Sequence, residues 1–276
     1  MSIEMYQVDA FTKEAFKGNP AIVCILEKEL GDEMMQAIAC EMNLSETAFI
    51  IQERNNDKKN NKFKIRWFTP NREVSLCGHA TLAASEVLFN QLNIPFNEIV
   101  YVSKSGILRA HKDVYGISLD FPLDSAINIE FERFNGLLNA MGISNYRNIF
   151  YGRETKKLVI HLESVKEILE VSPDFELMTR LDIDDIKGVG ITAYSGEDHD
   201  IITRYFNPWA GVNEDSVTGS VHTLLASYWS KILIKSELRA YQASKRGGEM
   251  VLRIKENKRV EMIGQAKTIL KGRLHI

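Results

Sequence analysis

Cysteine is scarce in this chain. Three residues, Cys24, Cys40 and Cys77, occur in 276 positions. The number is odd and no CxxC spacing is present, so neither a disulfide framework nor a zinc knuckle is expected. Long apolar runs are missing too, and none approaches the roughly 20 residues that a membrane-spanning helix needs. The opening Met1-Ser2-Ile3-Glu4-Met5 has no basic stretch followed by an apolar run, so a signal peptide is not expected. Charge of one sign is also lacking. A net charge of −3 and the want of an Arg/Lys stripe with interleaved aromatics exclude a nucleic-acid binder. What is left is a globular protein expected in the cytoplasm, with ordinary hydrophobic (45%) and charged (26%) fractions. Its length suffices for one large or two medium domains.

The most informative feature present is a repeat. Arg66-Trp67-Phe68-Thr69-Pro70 recurs as Arg204-Tyr205-Phe206-Asn207-Pro208, an offset of 138 residues. Glu73-Val74-Ser75-Leu76-Cys77-Gly78-His79 then recurs as Glu214-Asp215-Ser216-Val217-Thr218-Gly219-Ser220, at an offset of 141. That register continues, with Ala80, Ala83, Ala84, Val87 and Leu88 matching Val221, Leu224, Leu225, Tyr228 and Trp229. Both sets have the spacing of a helix's buried stripe. A period of half the chain is too long for a solenoid and implies two domains of one topology. Their expected bounds are 1–124, completed by 265–276, and 126–264, with a cleft between them as the natural place for chemistry.

Periodicity gives an α/β (α+β) order rich in strands. Strands are expected at Met5–Ala10, Ala21–Leu26, Thr47–Ile51 and Lys62–Phe68, the last with Phe63, Ile65 and Trp67 on one face. Further strands follow at Ile99–Ser103, Ile107–His111 and Tyr115–Phe121. Asp32 reads as the N-cap of a helix through Met42. Asn55–Lys62 reads as a solvated hairpin loop. The second half opens with a helix over Glu130–Met141, then strands near Ile149 and at Leu158–Leu162, a helix over Asp174–Leu181, and a strand at Val189–Tyr194. There Thr192-Ala193-Tyr194 echoes Thr47-Ala48-Phe49. Strands at Met250–Ile254, Arg259–Ile263 and Thr268–Leu274 close the chain, the last returning to the first domain.

Gly78-His79 and Gly219-Ser220 stand where the two repeat helices begin, with backbone N–H groups directed outward. Either glycine alone could serve only a tight turn. As a matched pair they read as a site for an anionic substrate. Glu46 precedes the apolar Ala48-Phe49-Ile50-Ile51, a poor address for a solvated carboxylate, and partial desolvation there would raise its pKa and suit a proton shuttle. The alternative is that it caps a turn or pairs with a surface lysine. Asp215 takes the place of Val74 and Ser220 that of His79, so the repeated frame is chemically asymmetric. That asymmetry fits a reaction in which a proton leaves one atom and arrives at another.

These stretches, with Val8-Asp9-Ala10-Phe11-Thr12, Phe16-Lys17-Gly18-Asn19-Pro20-Ala21, Asn43-Leu44-Ser45-Glu46-Thr47-Ala48-Phe49 and Leu76-Cys77-Gly78-His79-Ala80-Thr81-Leu82-Ala83, resemble the PhzF family of phenazine-biosynthesis-like isomerases. That family shares its fold with diaminopimelate epimerase. The resemblance implies two pseudo-symmetric domains, each a curved mixed β-sheet wrapped around a central helix, with the active site between them. It implies acid–base isomerisation of a small carboxylated metabolite without cofactor or metal and, commonly, a homodimer. By motif position the shuttling glutamate is Glu46, and its supporting residues are His79, Asp215 and Ser220. Two departures stand out: Ser216 follows the aspartate where the family usually has proline, and Gln242-Ala243-Ser244-Lys245-Arg246-Gly247-Gly248 only loosely matches the family's Gly-rich segment. Two other readings compete. A cysteine-dependent racemase needs a thiol from each half, and Cys77 is matched by Thr218, whose hydroxyl is too weak an acid. A non-catalytic small-molecule-binding dimer would be marked by loss of the acid–base residues, which are all retained.

Overall fold

Lys62–Phe68 alternates polar and apolar residues, and the structure makes it a strand (β4) with Phe63, Ile65 and Trp67 buried, as expected of period-two patterning. The computed structural model describes residues 2–53, 61–129, 134–183 and 185–276. The chain falls into two units, Met1–Phe121 with Glu261–Ile276 and Pro122–Val260.

In the first unit β1 (Ser2–Ala10) pairs antiparallel with β2 (Asn19–Leu26), and β2 runs parallel to β3 (Glu46–Gln52). Next come β4, antiparallel to β3, then β6 (Glu98–Ser103) parallel to β4, β7 (Gly106–Asp113) and β8 (Gly116–Pro122). The short β5 (Glu73–Val74) pairs with the end of β4. The C-terminal strand β18 (Ala266–His275) lies antiparallel to β1, with Ser2 opposite His275. α2 (Gly78–Glu86) packs on β1, β2, β3 and β18, and every residue from His79 to Glu86 is buried. α1 (Asp32–Met42) packs on β3 and β4 over a second apolar layer that includes Ile22, Met35, Ile38, Phe49 and Phe68.

The second unit repeats the plan. β9 (Ala126–Asn128), β10 (Asn148–Gly152), β11 (Lys157–His161), β12 (Val189–Tyr194), β13 (Ile201–Asn207), β15 (Glu237–Gln242) and β16 (Gly248–Lys255) pair in that order, with the β11–β12 and β13–β15 pairs parallel. β14 (Val212–Glu214) pairs with the end of β13. β17 (Arg259–Gly264) carries the chain across the boundary. α6 (Gly219–Leu233) buries the anticipated stripe of Val221, Leu224, Leu225 and Trp229 and packs on β9, β15 and β16. The smaller helices are α3 (Asn135–Met141), α4 (Val165–Glu170) and α5 (Phe175–Thr179), around a core of Leu137, Met141, Ile160, Ile168, Met178 and Phe206.

Several expectations need correction. Asp32 is the first helical residue of α1, and Gly31 occupies the cap. The helix expected from Glu130 begins at Asn135, with residues 130–133 outside those described; so are residues 55–60 of the polar loop. Asp174 caps the shorter α5 by accepting from the Leu177 N–H. α4 and β15 were not anticipated. The echo at Thr192 is a misalignment, because Thr47 pairs with Phe68 while Val189, not Thr192, pairs with the matching Phe206. Val189 therefore corresponds to Thr47, and the second unit has Gly188 where the first has Glu46.

Candidate active site

In the first unit the site is built on the start of β3 and the start of α2. Glu46 is the first residue of β3 and lies opposite Ala21 of β2. Gly18, just before β2, has φ of +63°, and a Cβ there would meet the Ala10 carbonyl oxygen at 2.1 Å. Only glycine fits that turn, which delivers Asn19 into the sheet. His79 follows Gly78 on the first turn of α2 and is 6% exposed. Its Nε2 lies 3.0 Å from Oε2 of Glu46, whose side chain keeps 19% of its surface. The contact is at ion-pair distance but lies off the N–H axis, so this buried nitrogen has no aligned hydrogen-bond partner. On the other side of the ring, Nδ1 is approached by Asn19 Nδ2 at 3.4 Å and Cys77 Sγ at 3.6 Å. Ser45 Oγ in turn donates to Asn19 Oδ1 at 3.1 Å and to the Pro20 carbonyl.

Burial works against a charged His79, but Cys77 and Glu46 outweigh it by charge and hydrogen bonding and hold its pKa well above the ordinary histidine value. Burial also raises the Cys77 thiol and the Glu46 charge adds to that, while His79 beside it pulls the other way. Neutral with Nδ1 accepting, or charged, His79 carries a proton on Nε2, the ring nitrogen nearer the carboxylate. The arrangement can hold, accept and pass on a proton.

The second unit places Asp215, Gly219 and Ser220 together at the start of α6. Asp215 Oδ2 accepts from Thr218 Oγ1 at 2.5 Å, and its backbone N–H donates to the Tyr205 carbonyl at 3.0 Å. Ser220 is exposed on the first turn, its carbonyl accepting from Thr223 Oγ1. Gln242 is fully buried on β15; its Oε1 accepts from the Thr218 N–H at 2.9 Å and its Nε2 donates to the Asp215 carbonyl at 2.7 Å. Ser244 Oγ donates to the carbonyl of Ser216 at 2.7 Å, so a side-chain bond stabilises the turn where the family usually has proline. Neither helix start is capped by its N-cap side chain, Cys77 for α2 and Thr218 for α6.

Sequence reasoning thus named Glu46 with His79, and Asp215 with Ser220, but missed Asn19, Ser45 and Gln242 as supports. Asn19 and Ser45 sit inside the motif stretches quoted above. Gln242 carried a signal as well, being an uncharged polar residue at a core-facing position of an alternating strand, Glu237–Gln242, with Leu238 and Ala240 buried on the same face.

A mixed sheet of this order around a glycine-initiated helix, present twice in one chain, is the epimerase-like architecture. A family profile described as phenazine biosynthesis-like protein (PhzC-PhzF) matches residues 8–272, and the chain belongs to that family. It is 42% identical over 290 residues to a phenazine biosynthesis-like domain-containing protein of Pongo abelii, with all of both chains covered. It is 42% identical over 276 residues, 99% of each chain, to a protein of Halalkalibacterium halodurans described as an uncharacterized isomerase. The crystal structure of a PhzF-family phenazine biosynthesis protein from Enterococcus faecalis matches over the whole of both chains with a TM-score of 0.91 and 40% identity. A hydroxyproline epimerase from Agrobacterium vitis, at 11% identity and a TM-score of 0.59 over 99% of this chain and 92% of that one, shares the fold alone. Among the described residues no helix is long and apolar enough to cross a membrane.

Proposed function

We propose that this protein is an isomerase that moves a proton within a small carboxylated metabolite by general acid–base catalysis, with Glu46 as the shuttle. The observation that carries the reading is the buried His79 Nε2 at 3.0 Å from the partly exposed Glu46 carboxylate. Glu46 takes the proton from one carbon, and the same carboxyl returns it to another, so no net proton or electron is exchanged. His79, held in place by Asn19 and Ser45, keeps the carboxylate in register and supplies positive charge as electron density moves through the substrate. The family resemblance assigns Asp215 and Ser220 as supporting groups, and each first turn, of α2 and of α6, offers N–H groups of the kind that hold a carboxylate. The naming of relatives as isomerases supports the reaction class. The second unit supports the choice of shuttle, since Gly188 stands where Glu46 does in the first. The racemase reading is weakened because Thr218 occupies the position of the second thiol and is bonded to Asp215. The family resemblance extends the proposal to a homodimer, checked by light scattering on the purified protein.

The test incubates the protein in deuterated water with fractionated small-molecule extract and follows mass gain or isomer interconversion. Glu46→Gln keeps the shape and removes the titratable oxygen. It is expected to lower turnover roughly a hundred- to ten-thousand-fold with little change in melting temperature. Turnover at the wild-type rate in Glu46→Gln would rule Glu46 out.

A further inference from the structure

Cys77 has no part in the proton transfer proposed above, yet it is buried beside the two residues that do. Glu46, Cys77 and His79 each present one ligand atom, and the three atoms lie within 4.8 Å of one another. The thiol and the imidazole Nδ1 are already 3.6 Å apart. A tetrahedral ion with Zn–S of about 2.3 Å and Zn–N of about 2.0 Å holds its ligands roughly 3.5 Å apart. That edge is therefore in place, and the third is reached by rotation of the Glu46 side chain, which sits at the open end of the cluster. A second observation comes from the repeat. The same frame in the second unit has Gly188, Thr218 and Ser220 at the matching positions, none of which is a thiolate, imidazole or carboxylate ligand.

We propose that Glu46, Cys77 and His79 form a binding site for one sulfur- and nitrogen-seeking divalent cation, with Zn2+ as the type. The donor set is one thiolate, one imidazole and one carboxylate, which suits zinc and its spectroscopic substitute cobalt better than magnesium or calcium. Three protein ligands leave a fourth position for water, as in an open rather than a closed zinc site. The bound ion occupies the carboxylate oxygen that the shuttle needs, so on the proposed function it is an inhibitor, not a cofactor. That consequence rests on the Glu46 reading; the binding itself does not.

Chelator-stripped protein titrated with Co2+ is expected to develop a thiolate-to-cobalt charge-transfer band and four-coordinate d–d absorption, saturating at one ion per chain and displaced by Zn2+. The band is expected to vanish in Cys77→Ser and to persist in Cys40→Ser. X-ray absorption on the zinc-loaded wild type, which needs no variant to fold, is expected to show one sulfur with nitrogen and oxygen neighbours. Failure to retain metal, a coordination shell without sulfur, or a band lost in Cys40→Ser instead of Cys77→Ser overturns the site. Turnover is expected to fall by more than tenfold with one equivalent of Zn2+ and to return on chelation. Metal bound through Cys77 with turnover unchanged leaves the site standing and overturns the shuttle.

Discussion

The two units set the same frame to opposite electrostatic use. At the start of β3 the first unit has a carboxylate, Glu46, facing a histidine whose pKa is raised. At the matching place the second unit has Gly188, and the space is taken by Tyr205, whose hydroxyl oxygen would sit 2.1 Å from a Cβ added there. Tyr205 Oη accepts from the buried Lys157 ammonium at 2.5 Å and donates to the Lys187 carbonyl. Burial lowers Lys157 to about 8 and His222 to about 4. His222 stands on α6 where Thr81 stands on α2, and the two make the same bond one turn back: Thr81 Oγ1 donates to the Cys77 carbonyl at 2.5 Å, His222 Nδ1 to the Thr218 carbonyl at 2.8 Å. One unit therefore holds a buried base toward its charged form, and the other buries bases held toward their neutral form. A duplicated fold supplies geometry, and the charge has to be written separately into each copy.

Acid should separate the two units most. The folded pKa of His222, about 4, lies below its unfolded value, so above about 6.5 both states are neutral and nothing is lost. As pH falls from 7 to 4 the unfolded state takes up the proton first, and the second unit is expected to lose about 3 kcal/mol. His79 shifts the other way. Its raised pKa gives stability that is fully present below the unfolded value and is lost only as pH rises through the folded one. Hydrogen exchange at pH 7 and pH 4.5 should show the second unit loosening first, and His222→Thr, which copies Thr81, should flatten that response. Equal loosening of both units in wild type and variant would erase the distinction.

A paired arginine offers a smaller contrast. Arg66 clasps Glu73 and lies over Phe68; Arg204 clasps Glu214 and lies over Phe206, with ring distances of 5.1 and 5.0 Å. Arg204 is the better buried and also donates to the Ile168 and Val171 carbonyls at the end of α4. The third partner of Arg66 is the exposed Asp32. Arg204→Ala is therefore expected to cost roughly 3 kcal/mol and Arg66→Ala about 1 kcal/mol, read by denaturant unfolding. The reverse order would mean that burial is not what grades the pair.

Lys157→Met should have the smallest effect. Below about pH 8 the native state bears a charge in an apolar setting, and methionine relieves that cost while leaving Tyr205 Oη without its donor. A net gain of about 1 kcal/mol at pH 7 is expected, shrinking as pH rises through 8 because the wild-type lysine then sheds its proton before the unfolded chain does. A gain that grows with pH would reverse this account.

Legibility in the sequence followed the range of the forces involved. β4 and the helix starts at Gly78 and Gly219 were readable because alternation, heptad-like spacing and turn glycines act within a few residues. Glu46, His79, Asp215 and Ser220 were readable from motif position and from the repeat. Residues 165–170 carry too little periodicity for a short helix to declare itself, and the structure fixes α4 there with the Ser164 cap and the Arg204 bonds to its last carbonyls. The Thr192 echo misled because three similar residues in a strand carry no register, whereas hydrogen bonding to β13 does. The approach of Asn19 to the His79 ring nitrogen depends on packing between β2 and α2, distant in the chain, which no local pattern encodes.

The pairing of β1 with β18 has a consequence in time. The second unit, Pro122–Val260, is one uninterrupted stretch, and all of it has been synthesised before Ala266–His275 leaves the ribosome. The first unit needs Ala266–His275 to lie beside Ser2–Ala10, so it cannot complete its sheet until that strand has been made. The usual N-terminal-first order of domain formation is thereby inverted. The half that holds Glu46 and His79 is the later to be assembled, and a nascent chain stalled before Ala266 has a finished second unit while one edge of β1 is still unpaired.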